Sequence, residues 1–468
     1  MCLSKREWRT HLIGIVRTNR SYVESENYTI SAYTPRARYD VMHIMYFTTA
    51  YESGIFGNRI HEEFLERLHA AGHAVSVFVP DAKRRGGARL TLAAGPVPVA
   101  RAAVSANRLD RVANLLSGRL VHYDYFATVL RSYCAYVRAH PEIDLVHVES
   151  VYPLGAVAAL AGGRPFVPTI RGGDLIADDA IAYGFARFRS VRWLLRLTFA
   201  RAALVRAVSP GARDMAIRYG CPPDKIVVVP RHLRDDCFVE DVAAARTKCR
   251  QLIEERHKLM DRKIVVAVGR LLPVKGFDDL IRALPMLLQR VPDTTVLICG
   301  PNRTDPQLGD YASYLRRLMN EREVGHRVVL VGAVPPEQMA EYLAAADAVA
   351  VPSLIEGGNK ILVEGAALGT PFVATQTAGT IGFFDESHGF SIPPRNPERL
   401  AVALADLLSD QEAWQRKSAA CLNQRVQFHA DHVTTEMLQL YQDVLQHRHA
   451  VPYGHSSTNS DQNERLNV

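Results

Sequence analysis

Short unbroken apolar runs alternate with longer stretches of helical periodicity along most of this chain, a pattern that predicts parallel sheets covered by helices. The first run, Met42-His-Ile-Met-Tyr-Phe47, leads into an amphipathic helix over about 58–71, ended by Gly72, and Ala74-Val-Ser-Val-Phe-Val79 is the next strand. Such a βαβ unit argues for a doubly wound arrangement. Residues 82–90 are basic and glycine-containing and read as an exposed loop, and helical periodicity returns through 104–139. Runs at 144–148, 166–170, 204–208 and 226–229 complete a first set of strands. The charged helical stretch 235–262 reads as a bridge. Alternation then restarts, with strands at 264–268, 295–299 and 328–331, helices at 276–290, 308–322 and 336–346, and further helices at 397–409 and from about 411 to 447.

One stretch, Val349 to Ala374, concentrates the turn chemistry. It reads as a strand closed by Pro352, a turn containing Gly357 and Gly358, a helix capped by Asn359, a stop at Gly369-Thr-Pro371, and a second strand. Glu356 and Glu364 therefore flank a helix start whose unpaired N–H groups attract an anion, and the two glycines let a ligand approach the backbone. Taken alone, each acid is an ordinary solvated helix charge. A partner for that anion-binding end comes from Gly269-Arg270-Leu-Leu-Pro-Val-Lys275-Gly276, which places two cations in the loop after another strand. A guanidinium and a lysine there suit a diphosphate.

Composition narrows the class without naming it. With 48% hydrophobic and 22% charged residues the chain reads as a globular protein, and its 468 residues exceed one ordinary core. No apolar run approaches the roughly 18 residues of a spanning helix, and the start shows no secretory pattern. Seven scattered cysteines without a C-x-x-C pair fit reduced thiols in a cytoplasmic protein and give no metal site. The net charge of +7 is uneven, +10 over residues 1–240 and −3 beyond, so the first half expects an anionic partner. The arginine-rich aromatic run from Phe185 to Phe199 adds a peripheral contact with anionic membrane to the candidates, against a helix that merely covers its own sheet. No nucleic-acid reading motif accompanies the charge, and there is neither G-x-G-x-x-G nor a P-loop lysine motif.

The second half resembles the donor domain of retaining family-4 glycosyltransferases, the group 1 glycosyl transferases of the GT-B fold. The resemblance rests on G-R-L-x-P-x-K-G at 269–276, the E-x7-E pair Glu356 and Glu364, Gly369-Thr-Pro-Phe-Val-Ala-Thr375, and Gly389-Phe-Ser-Ile-Pro-Pro394. The first half matches through Ser53-Gly54, Ala71-Gly72-His73, Thr169-Ile-Arg-Gly-Gly-Asp174, Ala207-Val-Ser209 and Pro223-Asp-Lys225. The implied fold is α/β, with two Rossmann-like doubly wound domains facing across a cleft. The expected organisation is a polar extension over 1–40, an acceptor domain over 41–240 and a linker over 241–261. A donor domain over 262–412, helices over 413–450 that return to the first domain, and a disordered tail over 451–468 follow.

The resemblance implies transfer of a sugar with retention from a nucleotide-diphosphate sugar, UDP- or GDP-linked, to a hydroxyl of a glycan or lipid-linked acceptor, without a metal or other cofactor. It gives Arg270 and Lys275 the leaving diphosphate, Glu356 the donor sugar, Glu364 the ribose hydroxyls, and Gly357, Gly358 and Asn359 the contacts to sugar and phosphate. Gly54, Arg171 and Asp174 fall on the acceptor side. Two positions depart from the family pattern. Arg171 stands where a histidine is common, and Arg231-His-Leu-Arg234 replaces an Asn-Gly-Val-Asp turn. An arginine cannot serve as a base near neutral pH, so a catalytically silent nucleotide-sugar-binding protein stays open beside the transferase, as does another GT-B enzyme such as a sugar-nucleotide epimerase or a phosphorylase.

Overall fold

The computed structural model describes residues 41–450 apart from 50–58, 82–87, 93–94, 104–107, 179–182, 306–307, 378 and 381. Gly54, the N-terminal extension and the C-terminal tail lie outside the described residues. The first sheet contains β1 (His43–Phe47), β2 (Ala74–Asp81), β3 (Ala88–Leu92), β4 (Gly95–Ala103), β5 (Leu145–Val148), β6 (Phe166–Ile170), β7 (Val205–Ala207) and β8 (Ile226–Val228). Their order is β3-β4-β2-β1-β5-β6-β7-β8. All neighbours are parallel except β3 and β4. Around it run α1 (Arg59–Ala70), α2 (Arg108–Val121), α3 (Phe126–Ala139), α4 (Ala156–Ala161), α5 (Arg189–Arg201) and α6 (Pro210–Arg218).

After α7 (Val242–His257) a second sheet begins, with β9 (Lys263–Val268), β10 (Thr294–Cys299), β11 (Val328–Gly332), β12 (Ala348–Val351), β13 (Phe372–Thr375) and β14 (Gly389–Ile392). It is parallel throughout, in the order β11-β10-β9-β12-β13-β14. Its helices are α8 (Phe277–Arg290), α9 (Tyr311–Glu321), α10 (Pro336–Ala345), α11 (Lys360–Ala367), α12 (Pro397–Ser409) and α13 (Gln411–Gln424), and α14 (Ala430–Ala450) ends the described chain.

Strand periodicity divides each core into two layers. In β1, Met45 and Phe47 join one apolar cluster while Ile44 and Tyr46 join another; in β9, Val265 and Ala267 are separated in the same way from Ile264 and Val266. The last helix belongs to the first of these cores. Val433, Met437, Leu440, Tyr441 and Val444 of α14 pack with Phe64, Leu65 and Leu68 of α1. The chain returning to the first sheet passes the chain leaving it, where the Leu233 amide donates to the Phe428 carbonyl at 2.9 Å.

One expectation needs correction. The basic stretch 82–90 is not loop throughout, because residues 88–92 form β3 against β4, satisfying backbone groups an exposed loop would leave to water. The charged stretch 235–262, read as a helical bridge, contains α7. Its helix α7 caps the second sheet, with Arg246 donating to the Ala344 and Ala346 carbonyls and Arg250 to Ala345, the helix end that α10 leaves unpaired. After β13, Gly389–Ile392 adds the edge strand β14.

Candidate functional site

In the second sheet, β9 has β10 on one side and β12 on the other, so chain connections diverge between β9 and β12. Doubly wound sheets bind ligands at the carboxyl ends of strands beside such a point. The loops leaving those two strands are the two motif loops, and they enclose a cavity of about 240 Å³ lined by Arg270, Lys275, Ser353, Glu356, Gly358, Asn359 and Lys360 among others. Both loops are locked. Leu354 N–H donates to the Val274 carbonyl at 2.9 Å. A Cβ on Gly276, whose φ is +64°, would sit 2.0 Å from the Pro352 carbonyl oxygen, so only glycine allows this approach.

Charge is concentrated at the cavity. The Lys275 ammonium donates to Glu356 Oε1, and Ser353 Oγ donates to the same oxygen at 3.2 Å. Asn359 caps α11 by accepting from Leu362 N–H at 3.1 Å. Its Nδ2 is buried without a hydrogen-bond partner while the residue lines the cavity. A capped helix start, two cations and an idle amide donor together make an anion site.

Glu364, one turn into α11, does not line this cavity. It is 1% exposed, accepts from Arg234 Nη1 at 3.1 Å, and lies 2.9 Å from Lys360 Nζ. Arg234, itself 1% exposed, also pairs with Asp236 at 2.9 Å and donates to the Pro336 carbonyl at 3.1 Å. The sequence marked Arg234 only as a departure from a turn motif; its reach to Glu364 spans 130 positions and had no local signal.

Across the cleft, the turn after β6 meets the turn before α11 backbone to backbone. A Cβ on Gly172, whose φ is +112°, would lie 2.2 Å from Gly357 Cα. Asp174 shapes this turn by accepting from Gly172 N–H at 3.1 Å and Val151 N–H at 2.9 Å. Burial pushes its carboxyl up, against the pull of those donors. Arg171 pairs with Glu149 at 3.4 Å rather than with Asp174, whose oxygens face the backbone.

Glu149, at the end of β5, is the centre of a polar group the sequence did not reveal. Its other neighbour is His147 at 3.1 Å, and His147 is bonded in turn to Tyr441 Oη at 2.7 Å. Burial favours the neutral Glu149 carboxyl, but Arg171, His147 and His61 outweigh it and hold the group well below the usual carboxylate range. Tyr46, His61, Arg206, Arg231 and His232 close around it. Burial drives His61 and His232 down to about 3 and, with Arg171 nearby, takes Arg231 down to about 10. The position of Glu149 directly after β5 was the available signal.

Two family models match this chain in succession: the glycosyl transferase 4-like domain over residues 57–232 and glycosyl transferases group 1 over 250–422. The likeness to group 1 glycosyl transferases thus covers the second sheet, and the likeness to the 4-like domain most of the first. A GDP-mannose-dependent alpha-(1-6)-phosphatidylinositol monomannoside mannosyltransferase of Mycolicibacterium smegmatis is 31% identical over 265 residues, 55% of this chain and 64% of that protein. A D-inositol 3-phosphate glycosyltransferase of Acidothermus cellulolyticus is 29% identical over 307 residues, 63% and 65% of the two chains. The chain thus spans less than two thirds of these relatives. Among solved structures, a glycosyltransferase from Rickettsia africae superposes with a TM-score of 0.65 at 18% identity, covering 87% of this chain and 100% of that one. Anabaena HepE in complex with UDP gives 0.64 at 19%, covering 86% and 100%. These likenesses establish the family's GT-B fold for the chain, with two Rossmann-like sheets.

Proposed function

We propose that this protein is a retaining, metal-independent glycosyltransferase that moves a sugar from a nucleotide-diphosphate sugar to a hydroxyl of a glycan or lipid-linked acceptor. The observation that carries the reading is the convergence of Arg270, Lys275, Glu356 and the capped start of α11 on one cavity, with the Asn359 amide left without a partner inside it. Arg270 and Lys275 take the diphosphate, as a bidentate and a point charge respectively. The N–H group at Gly358 and the Asn359 side-chain amide add donors at the helix end, and these groups stabilise the negative charge of the departing nucleotide. Glu356 faces the sugar. Glu364 takes the ribose hydroxyls, its carboxylate oriented by Arg234 and Lys360. The acceptor hydroxyl attacks from the face the nucleotide leaves, and the departing phosphate receives its proton.

A GDP-sugar or a UDP-sugar is the donor, in keeping with the mannosyltransferase relative and the UDP complex named above. The acceptor enters along the Arg171 and Glu149 side, and a lipid-linked acceptor places the enzyme at the cytoplasmic face of a membrane. The deciding experiment is Glu356→Ala, assayed for transfer and for nucleotide binding by calorimetry. Loss of transfer with retained binding is the expected result; undiminished turnover would sink the assignment. A second reading, donor binding without transfer, is favoured by Arg171, a group unable to act as a base and already engaged by Glu149. Donor binding with no transfer across a broad acceptor panel would establish it.

A further inference from the structure

Helix α2 is built inside out. Its buried side is held by Asn114, whose Nδ2 donates to Thr128 Oγ1 at 2.7 Å and whose Oδ1 accepts from Thr128 N–H at 3.1 Å. Its outward side carries Val112, Leu115, Leu116 and Leu120 at 57%, 58%, 58% and 67% exposure. Their spacing puts all four on one face. Large exposed apolar residues elsewhere among the described residues are mostly scattered, as a monomer surface allows, but four on one helix form a patch. Water gives this face no reason to exist.

Arginines predominate around it, although the exposed Asp124 lies beside Gly118 at the end of the helix. From Arg111 to Tyr123 the chain contains Arg111 and Arg119 and no acid, and both arginines are exposed between the leucines. The end of α2 packs on the start of α5, where the His122 ring stacks on Phe188 at 3.4 Å between centroids. From Phe185 to Arg201 the chain has five arginines and no acid. Arg189, Arg192 and Arg196 are exposed, and Trp193 between them is 61% exposed. The covering role foreseen for this run falls to the other side of α5, through Val191, Leu194, Leu195 and Phe199.

We infer that the outer faces of α2 and α5 form a docking surface for an anionic phospholipid bilayer, with the leucines and Trp193 entering the interface and the arginines meeting headgroup phosphates. The partner is fixed by the combination. Apolar side chains with a tryptophan belong at the interface between headgroups and acyl chains, and guanidinium groups add attraction to anionic lipid. A second copy of the same surface would bring five exposed arginines against five more. Among the described residues no helix is long and apolar enough to cross a membrane, so attachment by this surface is peripheral. The inference deepens the lipid-linked acceptor reading, but the patch lies on elements that do not line the donor cavity.

The test is flotation of the full chain with vesicles of phosphatidylcholine alone or mixed with phosphatidylglycerol, at low and high salt. Binding should need the anionic lipid and weaken with salt. Leu115→Glu with Leu116→Glu should lower partitioning by about tenfold or more, since buried leucines become charges. Arg189→Gln with Arg192→Gln should lower it less and flatten the salt dependence. Thermal melting and donor turnover on a water-soluble acceptor should be unchanged in both variants, which separates this inference from the transferase assignment. No binding to anionic vesicles, binding insensitive to both variants, or a concentration-dependent dimer that Leu115→Glu with Leu116→Glu dissolves would overturn it.

Discussion

Arg270, Lys275 and Glu356 stand around a cavity of about 240 Å³, whereas Glu149, Arg206 and Arg231 on the facing side close around about 10 Å³, room for roughly one water. The donor side holds Lys275 against Glu356 at the edge of a void and leaves the Asn359 amide there without a partner. The facing side spends its charges on one another. The difference is one of task. On the proposed reading, a diphosphate competes with Glu356 for Lys275, while an acceptor hydroxyl meets a surface whose charges are already paired with one another. Gly172 against Gly357 sets that distance between the two sides.

Four experiments strain the comparison. Arg234→Met should cost about 3 kcal/mol in denaturant unfolding, because it leaves the buried Glu364 with Lys360 as its remaining cation. Adding Glu364→Gln should recover much of that loss, and a recovered stability with a weakened donor KM would place Glu364 in ribose binding. Lys275→Ala should lower transfer by about 10²–10³-fold, the scale for removing one group that stabilises a leaving anion, with little change in melting. If Arg171→Ala lowers donor affinity equally, the division between the two sides is wrong.

Acid should attack the facing side first. Unfolded imidazoles take up protons near pH 6.5, while folded His61 and His232 withhold until about 3. The unfolded state therefore binds more protons across that window, and stability falls as pH drops, by about 2 kcal/mol per histidine at pH 5. Below about pH 4.3 the depressed Glu149 adds to the loss. Melting curves of His61→Gln with His232→Gln should show a flatter pH dependence than the parent. Asn359→Ala is the mildest change, about 1 kcal/mol for the lost cap of α11, read by thermal melting; loss of nucleotide binding in the same variant would show that its idle amide meets the donor.

The donor side was legible because its residues follow strand ends in unbroken motifs: Arg270 and Lys275 sit in one loop, Glu356 and Asn359 in another, and both strands announce themselves by periodicity. The facing side was not. Tyr46, His61, Glu149, Arg206 and Arg231 meet only through the strand order β1-β5-β6-β7-β8, and nothing near any one of them signals the others. Helix α2 misled in a different way, since its apolar period was visible but gave no sign that the face points outward. The edge strands β3 and β14 were missed because glycines and prolines interrupt or bound them, as edges tolerate.

The family match over the donor half ends at residue 422, yet Val433, Met437, Leu440, Tyr441 and Val444 beyond it fill the core of the opposite half. Helix α14 is thus part of the first sheet's core carried at the far end of the second half. A transplant of donor halves between relatives should be cut a second time after Gln424, leaving α14 with the body whose Phe64, Leu68 and His147 it touches. A single crossover at α7 would instead import a foreign Tyr441 into the polar group around Glu149, and change the acceptor side while intending to change only the donor.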